Sequence, residues 1–274
     1  MQSDMNAGVA APAGSGIIVE QCGDGIVQIR LNRPERLNAL GVDMVAALEH
    51  AVAGAIASHA RVLLVRGTGR AFCAGADLKE RRTMDEATRL THNRAINSAV
   101  DALAAAPMPT IAVINGLALG GGCEIAIACD LRIAAEDTQI GLTEARVGAI
   151  PGAGGTQRLP RLIGAARALE LMLLGEPIST KRAEEIGLVN AAVAADKLDE
   201  HAQRVATVLA SRSPSGAQTI KRLVYRGIEG PLAEGLTQER VALQQVLTSA
   251  DYAEGLAAFA EKRPPQFGCE ALPP

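Results

Sequence analysis

Residues 110–128, TIAVINGLALGGGCEIAIA, limit most strongly how this 274-residue chain can fold. The stretch is almost wholly apolar, yet Asn115 and Glu124 interrupt it, and Gly120, Gly121 and Gly122 break its middle. A triple glycine and a carboxylate facing lipid would leave backbone groups and a charge unsatisfied, so it does not read as a membrane span. It reads as a buried strand over Thr110–Ile114, a glycine turn, and a buried helix from Gly121 to Cys129. A side-chain-free helix start leaves backbone N–H groups open to whatever docks there, with the positive end of the helix dipole behind them. Glu124 in the first turn of that helix is expensive to bury unless it is paired, hydrogen-bonded or used in chemistry.

The flanking sequence alternates strand and helix. Ile17–Glu20 and Ile26–Leu31 predict a hairpin around Gly23-Asp24-Gly25. Val42–Ile56 carries apolar residues at helical spacing, and Arg61–Arg66 is a buried-strand run. A polar helix is predicted over Thr83–Ala106, ended by Pro107 and Pro109, and Asp130–Ala134 is strand again. Such alternation argues for an α/β core with crossover connections. From Gly164 the pattern turns helical: Ala165–Leu174, Lys181–Ile186, Leu198–Arg212 and Leu232–Leu247, interrupted by a strand at Leu188–Val193. The expected organisation is a disordered lead-in over 1–15, an α/β core over 16–200 and a helical region over 201–274.

Composition removes several classes of function. A net charge of −3 argues against a broad nucleic-acid or anionic-membrane surface, and 2% aromatic residues leave no stacking platform for single strands. Cys22, Cys73, Cys123, Cys129 and Cys269 are odd in number and form no C-x-x-C pair. They read as reduced thiols in a cytoplasmic protein, with no zinc site. The first sixteen residues have neither a basic n-region nor an apolar h-region. No phosphate-binding loop, dinucleotide fingerprint or serine-hydrolase elbow occurs. His50, His59, His92 and His201 lack metal-binding spacing and are expected on the surface.

A second glycine-containing cluster, Phe72-Cys73-Ala74-Gly75-Ala76-Asp77-Leu78, follows Gly67 and Gly69. Facing the first cluster, it would supply a second N–H to one oxygen, forming an oxyanion hole; the competing reading is tight strand–helix packing. Glu144 lies just past the next strand and precedes another glycine loop, Pro151–Gly155. Two carboxylates beside an oxyanion hole suit proton transfer and water activation near a carbonyl. The competing reading for Glu144 is an ion pair with Arg146 or Arg158.

These segments together resemble the enoyl-CoA hydratase/isomerase (crotonase) superfamily from about Gly16 to Phe267. The resemblance is carried by LNRPERLNAL (31–40), AFCAGADLKE (71–80), INGLALGGGCEIAIACDLRIAA (114–135), IPGAGGTQRLPRLIG (150–164) and FAEKRPP (259–265). It implies a spiral of β-β-α units with a helical C-terminal region used in trimerisation, and a homotrimer or a hexamer built as a dimer of trimers. It implies that the Ala76 and Gly121 amides hold a thioester oxygen while Glu124 and Glu144 serve as the two catalytic glutamates. Ala74, Asp77, Leu78 and Gly120 are implied substrate contacts, with Arg36, Lys79, Lys262 and Arg263 as candidates for the CoA phosphates. No cofactor or metal is implied, because coenzyme A is part of the substrate. Within the superfamily the strings look especially like methylglutaconyl-CoA hydratases, some of which bind AU-rich RNA through a lysine-bearing helix. The corresponding helix here, Val42–Ser58, has no lysine or arginine, so RNA binding is not carried over. Enoyl-CoA hydration is the leading expectation; a methylglutaconyl-CoA hydratase, an isomerase and a non-catalytic acyl-CoA- or RNA-binding protein are the alternatives.

Overall fold

The glycine-centred hairpin opens the chain: β1 (Ile17–Gly23) pairs antiparallel with β2 (Ile26–Leu31). The architecture is that of a computed structural model describing residues 14–268. Next, α1 (Val42–Ala57) buries Met44, Val45, Leu48 and Val52 at helical spacing. Three repeats of one pattern follow, each giving a strand to one sheet, a short strand to another, and then helix. The first is β3 (Val62–Gly67), β4 (Ala71–Cys73), α2 (Leu78–Arg81) and α3 (Glu86–Ala104). The second is β5 (Thr110–Ile114), β6 (Leu117–Leu119) and α4 (Gly121–Ala128). The third is β7 (Leu131–Ala135), β8 (Gln139–Gly141), α5 (Gly155–Ile163) and α6 (Ala165–Leu174). The chain closes with β9 (Ile178–Ser179), α7 (Thr180–Glu185), β10 (Ala191–Val193), α8 (Leu198–Ala210), α9 (Pro214–Gly227), α10 (Leu232–Leu247) and α11 (Ala250–Glu261).

The larger sheet runs β1-β2-β3-β5-β7-β10 and is parallel beyond the first pair; the smaller runs β4-β6-β8-β9. Both faces of the larger sheet are covered, which is why β3 and β5 read as continuous apolar runs. Alternate residues serve alternate faces. Leu63, Val65, Ala112 and Ile114 pack into the main core with α1, α3 and α4. Val62, Leu64, Ile111 and Val113 pack on the other face against Leu198, Ala202, Ala206 and Ala210. Those four residues form one i, i+4 stripe of α8, so the division expected near residue 200 falls inside a helix packed on the sheet. Beyond it, α9–α11 present large apolar side chains to solvent, among them Ile220, Val224, Leu232, Val241, Leu256 and Phe259.

Several expected elements shift. The polar helix expected over 83–106 is α3, shortened to 86–104, and a separate short helix, α2, precedes it, because two aspartates each cap a separate start. Asp77 accepts from the Lys79 and Glu80 amides, and Asp85 from the Thr88 amide at 2.8 Å. The strand expected over 188–193 shortens to Ala191–Val193, since the Leu188 and Val189 amides both close back onto the Ala183 carbonyl. His92, expected on the surface, is only 3% exposed, lying on the inner side of α3. Most of the lead-in, residues 1–13, and Cys269 lie outside the described residues. Among the described residues no helix is long and apolar enough to cross a membrane.

Candidate active site

The smaller sheet brings the candidate residues together. In its order β4-β6-β8 the strands stop on one side, and each is followed within two or three residues by one candidate: Ala76, Gly121 and Glu144. A parallel bridge between Leu40 and Ala76 aims the first. The Leu40 amide donates to the Gly75 carbonyl and the Leu40 carbonyl accepts from the Asp77 amide, so the Ala76 N–H turns to the opposite side. The second follows from helix geometry, because Gly121 is the first residue of α4 and its N–H has no intrahelical acceptor. The two backbones touch: a methyl built on Gly121 would lie 3.8 Å from Ala76 N. Among the described residues neither amide has an acceptor, which leaves two convergent donors at the head of α4.

Two glycines permit this approach. Gly75 sits at φ +89°, a left-handed conformation that a side chain strains, and a Cβ there would be 3.1 Å from Gly121 N. A Cβ on Gly122 would run into the Cys73 carbonyl. The glycines therefore do more than permit packing; they seat the end of β4 against α4 with the amides bare.

The carboxylates occupy the same cavity, about 130 Å³ in volume and shared with Ala74, Ala76, Leu78, Gly120 and Gly121. Glu124 is 3% exposed, and its Oε1 accepts from the Ala153 amide at 2.6 Å and the Gly155 amide at 2.9 Å. The glycine loop 151–155 and the start of α5 thus fix one oxygen of Glu124. Its other oxygen has no protein donor among the described residues. Burial raises the Glu124 carboxyl above its ordinary value, partly offset by the two amides and by Arg158 and Arg81. Glu144 Oε1 lies 3.0 Å from where a Cβ on Gly120 would stand, and Oε2 is buried without a partner. Burial, opposed by its own amide and reinforced by the Glu124 charge, pushes Glu144 up to about 7. The ion pair to Arg146 or Arg158 does not form: Arg158 instead pairs with Asp101 at 2.7 Å and donates to the Ala153 carbonyl.

The remaining expected contacts divide. Ala74, Leu78 and Gly120 line the cavity; Asp77 does not. The Asp77 carboxylate is 5% exposed because it caps α2 and meets Arg33 at 3.4 Å, so its work is structural. Arg36, Lys79 and Lys262 are exposed cations outside the cavity lining. Arg263 is taken up by Glu254 through two hydrogen bonds, 2.5 and 2.9 Å, and by Glu261 at 2.6 Å, so its guanidinium is not free for a phosphate. Sequence reasoning missed Arg81 and Asn93, which line the cavity with Ile96. The signal was weak: Arg81 lies one helical turn beyond the Asp77 cap, and Asn93 shares a face with Ile96 at i, i+3.

A spiral of β-β-α units whose small-sheet loops gather two backbone donors and two carboxylates is the crotonase fold. A profile of the enoyl-CoA hydratase/isomerase family matches residues 21–270, and the chain belongs to that family. Human enoyl-CoA hydratase domain-containing protein 2, mitochondrial, is 43% identical over 249 residues, covering 89% of this chain and 85% of its own. The crystal structure of the Bacillus anthracis enoyl-CoA hydratase superposes with a TM-score of 0.91 at 42% identity, covering 93% of this chain and all of that one. An enoyl-CoA hydratase from Polaromonas sp. JS666 gives a TM-score of 0.87 at 31% identity, covering 92% and 99%.

Proposed function

We propose that this protein hydrates trans-2-enoyl-CoA thioesters to 3-hydroxyacyl-CoA by reversible syn addition of water. The observation that carries the reading is that Glu124 and Glu144 share one cavity with the Ala76 and Gly121 amides. An isomerase needs one base to move a proton along the acyl chain; a pair of carboxylates suits water between them.

The thioester oxygen is received by the Ala76 and Gly121 N–H groups, which strengthen their hold as the oxygen gains charge. Glu124, held by two loop amides, takes a proton from water while the water oxygen bonds to Cβ. The Cα=Cβ electron pair moves toward the carbonyl and forms an enolate. Protonated Glu144, whose raised pKa keeps a useful acid fraction near neutrality, gives its proton to Cα as the enolate collapses. The two carboxyls then exchange a proton, directly or through solvent, to restore the starting state. The thioester carbonyl supplies the electron sink, so the step needs no further cofactor. The exposed apolar residues of α9–α11 suit packing against other copies as a trimer, or a hexamer of two trimers.

The test is loss of enoyl-thioester absorbance with crotonyl-CoA. Glu144→Gln should lower kcat by about 10²- to 10⁴-fold while still binding butyryl-CoA. Turnover within a few-fold of the parent would sink the assignment.

A further inference from the structure

The loop that holds Glu124 is itself held by side chains. Among the described residues no backbone hydrogen bond ties 151–153 to the rest of the chain, yet the Ala153 amide fixes Glu124 Oε1 at 2.6 Å. A span without backbone partners moves easily unless other groups restrain it. Arg158, in the first turn of α5, supplies the restraint by folding back over the loop. Its Nη1 donates to the Ala153 carbonyl at 2.9 Å, and its Nη2 donates to Asp101 Oδ1 on α3 at 2.7 Å. Gly154, at φ +95°, leaves the room for this, since a Cβ there would collide with Nη1. At the other end of the loop Asn93 of α3 stands against Gly152, whose Cβ would lie 3.3 Å from its Oδ1. Asn93 and Asp101 are about 12 Å apart along α3, so that helix braces the loop at two points.

Ala153 is thus restrained on both sides, its N–H by the Glu124 carboxylate and its C=O by the Arg158 guanidinium. Glu124 is 3% exposed, and burial raises its carboxyl; the Gly155 and Ala153 amides, then Arg158 and Arg81, oppose the rise. Hydrogen bonds weaken steeply as they lengthen and bend, so the amides serve Glu124 only while the loop stays in place. Arginine suits this task because its planar fork reaches two acceptors in fixed directions at once, which an ammonium on a flexible stem does not. Asp101 also balances the guanidinium charge, so Arg158 acts on Glu124 chiefly through the geometry of the loop.

We propose that Arg158, anchored by Asp101, is a positioning residue for Glu124. It holds the 151–155 loop so that the Ala153 and Gly155 amides stay on one carboxylate oxygen and the other is left to water. The inference rests on the hydratase reading for what Glu124 does, but the clamp is measurable without turnover.

The test follows Glu124 directly. Full-length protein carrying glutamate labelled with carbon-13 at the side-chain carboxyl is titrated by NMR, with the Glu124 signal assigned by its loss in Glu124→Gln. Crotonyl-CoA hydration and butyryl-CoA binding are measured alongside. Arg158→Met should raise the Glu124 pKa by about one unit and lower kcat by about 10- to 100-fold, with butyryl-CoA affinity unchanged. Arg158→Lys, which keeps the charge and loses the fork, should show part of both effects. Asp101→Asn, at an exposed position, should shift the Glu124 titration in the same direction by less. An Arg158→Met protein with the parent's Glu124 titration and kcat overturns the proposal, even if its Tm falls, because the arginine would then be structural only. Should that variant not fold, the same outcome in Arg158→Lys overturns it. Full retention of both properties in Arg158→Lys with their loss in Arg158→Met also overturns it, since charge and not the clamp would be at work. A shifted Glu124 titration in a protein whose parent does not hydrate crotonyl-CoA removes the hydratase reading and leaves the clamp standing. An active parent with an unshifted variant does the reverse.

Discussion

Gly75→Ala probes the proposed oxyanion hole without removing a side chain. The backbone at Gly75 has φ +89°, and holding an alanine there costs about 1–3 kcal/mol. The added methyl would lie 2.9 Å from the Leu119 carbonyl and 3.1 Å from Gly121 N, where ordinary contact begins at 3.4 Å. The two backbones must therefore part by about half an ångström, which adds roughly 1–3 kcal/mol of overpacking. Together these predict a loss of about 2–6 kcal/mol, or a Tm lower by roughly 4–24 °C for a chain of this size. The displaced amides are the ones assigned to the thioester oxygen. Losing one donor outright costs about 10²- to 10³-fold in kcat, so a half-ångström misplacement should cost about 10- to 100-fold. The assay is crotonyl-CoA hydration at saturating substrate alongside thermal melting. Gly227→Ala is the control, because that glycine ends α9 with no atom near its would-be Cβ and no positive φ. It should melt at or slightly above the parent temperature and keep full activity. A Gly75→Ala protein with kcat within twofold of the parent would refute the placement of the hole. So would one with unchanged kcat despite a lowered Tm.

Other expected outcomes follow from single observations. In the folded protein Glu144 holds its proton up to about pH 7 against an ordinary value of 4.5, so native stability declines as pH rises between those values. Glu144→Gln should remove that decline, gaining about 1–3 kcal/mol at pH 8 relative to pH 5 in urea titrations, after allowance for partial exposure. An identical pH dependence in parent and variant would contradict the buried placement of Glu144. Asn38 is fully buried, accepts from the Arg33 amide at 2.8 Å, and donates to the Thr68 and Ala71 carbonyls at 2.9 and 2.8 Å. Asn38→Ala should cost about 2–4 kcal/mol, read as a lower urea midpoint with unchanged slope.

Much of the site was legible because bare backbone and buried charge are rare in sequence for physical reasons. Three glycines opening an apolar helix, with Glu124 one turn in, admit few structural explanations. The Gly75 cluster was legible for the same reason. What sequence did not reveal depends on partners distant along the chain. Asp77 looks like a ligand contact until its short helix forms and claims its oxygens. Arg263 looks like a phosphate contact until Glu254 of α11 folds beside it. His92 has the sequence surroundings of a surface residue, and only the packing of α3 buries it. The fold was legible as alternating elements, whereas the membership of each strand in one of two sheets was not. Strands as short as β4, β6 and β8 carry too little periodicity to declare a partner.

The alternation of strands between two sheets has a consequence for how this molecule comes apart. Each repeat deposits one strand in each sheet, so no continuous segment holds one sheet complete without strands of the other. Removing any one repeat opens both layers at once, and β10 reaches the larger sheet only after α7 has been laid down. Residues 14–200 therefore behave as a woven fabric: unfolding by denaturant should be all-or-none across both sheets, and fragments ending within the three repeats should stay unstructured until their complement is supplied.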